Sequence, residues 1–232
     1  PYTPLFRSPG QAKAKHKGKA SQPARPAATA DSYQQRSDAQ QWTEDAATRL
    51  DLPLPWLRQH MAQARRIPLI EQLVLPPAQP SAKNWAAYRA RFIEPKRIEA
   101  GRAFWLRHRE TLARAEATYG VPASLVVGVI GVETLFGQHM GQFRILDALA
   151  TLAFDFPSAH PRAAERQAFF RGELEQFMRL THAAGTEPSS VRGSYAGAMG
   201  LPQFMPSSWR HHAVDFDGDG RIDLFNSAAD AI

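Results

Sequence analysis

No cysteine occurs among the 232 residues. That excludes disulfides, thiolate metal sites, a cysteine nucleophile and lipid attachment through cysteine within this segment. No uninterrupted apolar stretch approaches the length of a membrane span. The chain also lacks a phosphate-binding glycine loop, an HExxH pair and a GxSxG elbow, so the common motifs of phosphoryl transfer, zinc proteolysis and serine hydrolysis are absent. No alternating strand pattern of useful length occurs, and no repeat at solenoid spacing. The first residue is Pro1 rather than Met, so any targeting segment is expected to lie outside this numbering.

Net charge is unevenly spread. The chain carries a formal +6. Residues 1–40 hold seven basic side chains against two acidic ones, which is +5 of that total. They are rich in Pro, Ala, Ser and Gln and read as a basic, disordered tail. The remainder has no electrostatic footprint for nucleic acid. Its apolar content permits a real core: 44 % of all residues are hydrophobic.

The patterning is helical, and the fold class expected is mainly α. Residues 41–75 carry apolar anchors at Trp42, Leu50, Trp56, Leu57, Ile67 and Leu73, with breaks at Pro53 and Pro55. A Pro-rich connector follows, Leu75 to Pro80. Ile98, Trp105, Leu112, Ala115 and Tyr119 recur at helical spacing, with Gly120 as a stop. Asp147 is expected to start a short helix through Leu152 in a structural role. Residues 162–182 form a longer amphipathic helix with Phe170, Leu174, Phe177, Met178 and Thr181 on one face. Asn226 to Ile232 reads as the opening of a helix cut short, so the chain reads as truncated at its C-terminus.

Against that background one residue stands out. From Val121 to Gly137 the only charged side chain is Glu133. Pro122 suits a first helical turn and Gly137 a left-handed stop, so the run reads as one buried helix with Glu133 in its last turn. Burial and the negative end of the helix dipole both disfavour the carboxylate form and are expected to raise its pKa, as a general acid near neutral pH requires. On this run alone, a structural pairing with Arg144 or Arg166 stands beside the catalytic reading.

Two further segments carry chemistry. Gly193 to Trp209 mixes glycines that allow close backbone approach with Tyr195, Phe204 and Met205, on which a sugar ring could stack, and with Ser194 and Gln203, which offer hydrogen bonds. A glycine-rich loop packed on the core is the alternative. Asp215-Phe-Asp-Gly-Asp-Gly-Arg-Ile-Asp223 matches the start of an EF-hand loop, with side-chain oxygens from Asp215, Asp217 and Asp219, the Arg221 carbonyl, and Gly220 at the sharp turn. The twelfth position is Asn226 instead of the usual Glu; Asp230 or Asp223 could complete the shell. His211 and His212 lie nearby, yet an all-oxygen set favours a hard cation such as calcium.

Taken together, Tyr88 to Ile93, Val129 to Thr134, Arg144 to Leu152, Gly193 to Ser208 and Ala213 to Gly220 resemble the membrane-bound lytic transglycosylase B family of bacterial peptidoglycan-cleaving enzymes. The resemblance covers residues 41–232. It implies a helical N-terminal region over 41–120 packed on a lysozyme-like core over 121–232, with the EF-hand-like loop at 215–230. It implies Glu133 as the sole catalytic carboxylate and Tyr88, Arg166, Ser194, Gln203, Phe204 and Met205 as glycan contacts. The metal set implied is Asp215, Asp217, Asp219, Arg221 and Asp230, holding a structural calcium.

The activity implied is cleavage of the β-1,4 bond between N-acetylmuramic acid and N-acetylglucosamine without water, leaving a 1,6-anhydromuramyl end. One carboxyl group suffices because the sugar's own C6 hydroxyl attacks, whereas ordinary glycosidases need two. The alternatives are a lysozyme-type hydrolase and an inactive glycan-binding module. The expected partner is the peptidoglycan glycan strand, with other cell-wall enzymes as candidate partners and no nucleic acid. The expected location is the periplasm, with anchoring to the outer membrane through a segment not present here.

Overall fold

All ten residues of one helix, Ile145–Phe154, are buried, and the fold is arranged around it. The structure is a computed structural model that describes residues 32–76 and 84–232. A helix that is apolar on every side must be covered on every side. Its two polar members are satisfied inside the core. Thr151 Oγ1 donates to the Asp147 carbonyl at 2.7 Å and accepts from the Ile67 N–H at 3.0 Å. Asp147 Oδ1 accepts from the Arg65 N–H at 2.9 Å, and Oδ2 lies 3.3 Å from Arg144. Burial pushes the Asp147 carboxyl up from its ordinary value, against the pull of the Arg65 N–H and the Arg144 charge. Asp147 is structural, as expected, though it clamps a neighbouring segment rather than capping its own helix.

In chain order the helices are α1 (Ser37–Leu50), α2 (Leu54–Met61), α3 (Pro68–Leu73), α4 (Trp85–Ala90), α5 (Pro95–Arg107), α6 (Arg109–Tyr119), α7 (Ala123–Thr134), α8 (Ile145–Phe154), α9 (Ala163–Ala183), α10 (Pro206–His212) and α11 (Ala228–Ala231). Two two-residue strands, β1 (Phe143–Arg144) and β2 (Arg192–Gly193), pair antiparallel. The mainly helical fold class and the lysozyme-like architecture hold.

α9 buries the predicted stripe of Phe170, Leu174, Phe177, Met178 and Thr181, and it packs on α8 and α10. Glu173 of α9 is 3 % exposed; its carboxylate accepts from the Ser207 N–H and hydroxyl at 2.9 and 2.5 Å, which fixes the start of α10. α1 to α3 close the same core, with Leu57 and Ile70 fully buried. Pro53 and Pro55 sit at the start of α2, where the missing N–H groups cost nothing.

Two expectations need correction. The tail was expected to reach residue 40, yet Tyr33 and Ala39 are both 2 % exposed. Tyr33 donates to Asp155 Oδ2 at 2.6 Å, and Arg36 binds both Asp155 oxygens at 2.7 Å while also gripping Asp38. These contacts tie 32–40 to the end of α8. The rest of the expected tail, and the connector beyond residue 76, lie outside the described residues. Second, Ile98, Trp105 and Tyr119 are 60 %, 39 % and 57 % exposed. Leu112 and Ala115 are buried as expected, and Phe104 rather than Trp105 joins them: although α5 and α6 break at His108, positions 104, 112 and 115 fall on one helical face. The residues on either side of the 120/121 boundary pack together. A second cluster joins Phe104 and Leu112 to Ala123, Val127, Ile130 and Leu201, across that boundary.

Among the described residues no single helix is long and apolar enough to cross a membrane. Leu149 is fully buried at the centre of α8. Leu149→Ala is expected to lower stability by about 2–5 kcal/mol through lost transfer and a residual cavity. Urea unfolding measures it, and a loss below about 1 kcal/mol would contradict this placement.

Candidate active site

α7 turns Ala123, Val127, Ile130, Gly131 and Thr134 inward. Its other face stays open: Leu125, Val129 and Val132 are 60 %, 53 % and 46 % exposed. Glu133 lies in the last turn, as expected, but on the open side, and it is exposed rather than buried. Apart from Thr134, the residues around it on α7 are apolar or glycine, so composition could not show which face the fold covers. Among the described residues its carboxylate has no hydrogen bond or ion pair. The Arg144 and Arg166 pairings are both excluded. Arg144 bonds Ser189 and Gln63 carbonyls and Asp147, and Arg166 lies over the rings of Phe169 and Phe170 at 5.1 and 5.0 Å.

The helix stops earlier than Gly137. Leu135 takes φ 49° and ψ 50° as C-cap, followed by Phe136 at φ 57° and Gly137 at φ 87°. Two left-handed non-glycine residues in succession store strain directly after Glu133. What holds them is Phe136, whose ring fills the space beside two glycines: a Cβ on Gly131 would come within 2.7 Å of it and one on Gly101 within 3.1 Å. The ring also meets Phe104 at 5.2 Å.

Thr134 is the fastener of the site. It is fully buried, its hydroxyl reaches the Leu201 carbonyl at 2.9 Å, and it accepts the Gly137 N–H at 3.1 Å. One hydroxyl proton serves Leu201 better than the Ile130 carbonyl at 3.3 Å. Glu133 is thereby tied to the glycine-rich segment expected to bind glycan. Gln203 Nε2 donates to the Met140 and Gly200 carbonyls at 3.2 and 3.0 Å, with its own backbone at φ 52°. Gly141 and Gly193 pass so closely that a Cβ on Gly141 would lie 2.1 Å from the Gly193 carbonyl. Ser194 Oγ accepts the Ala198 N–H at 2.9 Å, and Phe204 pairs with Met199 through both backbone groups. Met205 is the N-cap residue of α10 and packs on the main core.

Tyr88 stands apart from the glycine-rich segment. It is 53 % exposed on α4, stacked on Trp85 at 5.7 Å and touching Phe92 at 5.0 Å. Phe92 and Arg97 line a groove of 530 Å³ that also includes Gly131 and Val132, just before Glu133. Arg166 joins none of these; no contact among the described residues links it to the Glu133 turn.

In the Asp-rich loop, side-chain oxygens of Asp215, Asp217 and Asp230 lie within 4.8 Å of one another. Asp230 is 7 % exposed and accepts the N–H groups of Phe216 and Asp223, each at 2.8 Å. Asp219 and Arg221 stand outside that trio, joined to each other by the Arg221 N–H at 2.8 Å. Asp223 turns to the residues after it, accepting the N–H groups of Phe225 and Asn226 at 2.9 Å. For Asp215, desolvation is outweighed by the Gly220, Gly218 and Asp219 N–H groups, which hold the carboxyl below its ordinary value. Desolvation likewise acts on Asp223, and Asn226 and Phe225 outweigh it.

A buried apolar helix, a carboxylate at the end of a second helix and a glycine-rich loop fastened to it define a lysozyme-like helical domain. The chain belongs to the transglycosylase SLT domain family, whose pattern matches residues 34–232. It is 40 % identical over 198 residues to membrane-bound lytic murein transglycosylase B of Escherichia coli (strain K12), covering 82 % of this chain and 53 % of that protein. Among solved structures, soluble lytic transglycosylase SltB1 from Pseudomonas aeruginosa superposes with TM-score 0.76 at 45 % identity, covering 83 % of this chain and 62 % of that one. The E. coli lytic transglycosylase Slt35 in complex with calcium gives 0.75 at 40 %, covering 84 % and 59 %. The chain thus spans about half the length of the curated relative it matches.

Sequence reasoning missed Thr134 and Arg97. A polar residue next to Glu133 in an apolar run was a usable signal for Thr134; nothing local marked Arg97. Thr134→Val keeps the shape but strands the Leu201 carbonyl and the Gly137 N–H, and is expected to cost about 1–3 kcal/mol. Thr134→Ser, which keeps the hydroxyl, should lose less. Chemical denaturation of the two variants measures this, and a Val variant as stable as wild type would remove Thr134 as the fastener.

Proposed function

We propose that the chain is the catalytic part of a peptidoglycan lytic transglycosylase with Glu133 as its acid and then its base. The observation that carries the reading is the Thr134–Leu201 hydrogen bond, which fastens the turn after Glu133, a carboxylate with no partner among the described residues, to the segment that contains Ser194, Gln203, Phe204 and Met205. Family membership and likeness to a murein transglycosylase support the substrate.

Cleavage starts when the Glu133 carboxylic acid gives its proton to the glycosidic oxygen as the bond from the muramyl C1 breaks. The substrate's N-acetyl group supports the positive charge developing at C1. The muramyl C6 oxygen then bonds to C1, and its proton passes to the Glu133 carboxylate. No water is consumed, and the acid is restored. Because Glu133 is open to solvent, removal of water from it falls to the glycan laid over the apolar face of Val129 and Val132. A positioned acid/base typically contributes about 10²–10⁴-fold. Tyr88 offers a ring face to a sugar and Ser194 a hydroxyl; Arg166, packed on two phenylalanines, would need to move to take part.

The same openness would admit water, so a lysozyme-type hydrolase is the reading to separate. Mass analysis of intact peptidoglycan digests does so. Wild type should release anhydromuramyl fragments, each lighter by one water than a hydrolysis product, and Glu133→Gln should bind sacculi yet release nothing. Products carrying the added water, or unchanged release by Glu133→Gln, would overturn the assignment.

For the acidic loop the donor set fits a hard cation, and the calcium complex of Slt35 supports that ion. Asp215, Asp217 and Asp230 would hold it, with Asp219 and the Arg221 carbonyl as further ligands. Its part is structural: three converging carboxylates repel one another, and a bound cation would join the loop to α11. A chelator is expected to lower the melting temperature and added calcium to restore it, with Asp217→Asn insensitive to both. A melting curve indifferent to chelator would contradict an occupied site. Murein as substrate and the membrane-bound relative support a periplasmic setting with outer-membrane anchoring.

A further inference from the structure

Among the described residues, Arg97 is the one side chain that hydrogen-bonds the backbone directly ahead of Glu133 from another helix. From the first turn of α5, its Nη1 donates to the Gly131 carbonyl at 2.5 Å and approaches the Val132 carbonyl at 3.4 Å. Those carbonyls belong to the last turn of α7, which presents the helix's negative end; the Gly131 carbonyl also accepts the Leu135 N–H at 3.2 Å, so the guanidinium fills its second lone pair. Among the described residues no carboxylate pairs with this guanidinium, and its Nε is buried without a partner. A free arginine would extend into water and satisfy all its donors. This one gives up a donor to stay against α7. On its other side the guanidinium lies 5.4 Å above the Phe92 ring, and Phe92 touches Tyr88.

We propose that Arg97 is a positioning residue for Glu133, fixing the separation between that carboxylate and the aromatic surface of Trp85 and Tyr88 on α4. The proposal rests on Glu133 being the acid/base. Three features make it more than packing. The contact is to the two residues immediately before Glu133. The next turn, Leu135 and Phe136, is strained and would relax if its neighbours loosened. The other ties between α5 and this turn among the described residues, Phe136 against Gly101 and Phe104, are apolar and set no hydrogen-bond direction. Chemistry that depends on near-attack geometry is sensitive to such loosening, and a displacement of about 1 Å can cost on the order of 10²-fold.

The test is steady-state cleavage of a soluble peptidoglycan tetrasaccharide by wild type, Arg97→Met, Arg97→Lys and Glu133→Gln, with thermal unfolding measured alongside. Arg97→Met should stay folded, keep KM within about twofold and lose kcat by at least about tenfold. Arg97→Lys, whose ammonium can still reach the carbonyls, should recover part of the loss. A kcat for Arg97→Met within twofold of wild type, while Glu133→Gln is inactive, overturns the proposal and leaves the functional reading standing. Activity in Glu133→Gln overturns that reading and the proposal with it. Should Arg97→Met fail to fold, Phe92→Leu decides: it removes only the ring beneath the guanidinium. A lower kcat at unchanged KM then supports the positioning role, and an unchanged kcat overturns it.

Discussion

The buried hydroxyl of Thr134 is the constraint on which the site depends. It follows Glu133 directly, so whatever fixes its position also fixes the backbone of Glu133. By bonding the Leu201 carbonyl it joins two segments 67 residues apart in sequence, and by accepting the Gly137 N–H it stabilises a turn that would otherwise be strained without compensation. A buried unsatisfied carbonyl is costly, so the two segments separate only by paying that penalty. The glycines do the complementary work of shape. Gly131 makes room for the Phe136 ring, and Gly141 lets its segment run against Gly193 with no side chain between them.

Around that fastener the molecule divides its labour between two cores. The first, centred on α8, is closed on all sides and holds α9, α10 and the N-terminal helices rigid. The second, beneath α7, is smaller and covers one side of its helix only. Glu133 sits where the covered and uncovered sides meet. An apolar surface beside an unpartnered carboxylate is a setting in which a sugar ring can expel water and meet a proton donor at once, and the carboxylate is left accessible until it does so.

Much of this was legible in sequence, and the failures have physical causes. The α9 stripe was readable because Phe170, Leu174, Phe177, Met178 and Thr181 repeat at helical spacing within one helix, and the clustering of Asp215 with Asp217 because their spacing in the sequence is local. The end of α7 was placed correctly relative to Glu133, since a single charge in an apolar run is conspicuous. Its burial was not, because a helix apolar all round gives no moment to say which face is covered. The stripe from Ile98 to Tyr119 held at Leu112 and Ala115 but failed at Ile98, Trp105 and Tyr119, because apolar residues occur on more than one face of these helices and Phe104 takes the covered one. Tyr33 was lost in a stretch whose composition matches a tail, because the contacts that anchor it come from Asp155, more than a hundred residues away. Arg97 was invisible for the same reason: its partners are backbone carbonyls, which carry no residue-type signal.

A structure of Glu133→Gln with a NAG–NAM tetrasaccharide bound tests the central claim most directly. The account predicts a glycosidic oxygen within hydrogen-bond distance of the residue-133 side chain, with sugar density along Ser194 to Met205 and Thr134 still bonded to Leu201. Sugar bound elsewhere on the surface, with the α7 turn and its loop empty, would contradict it.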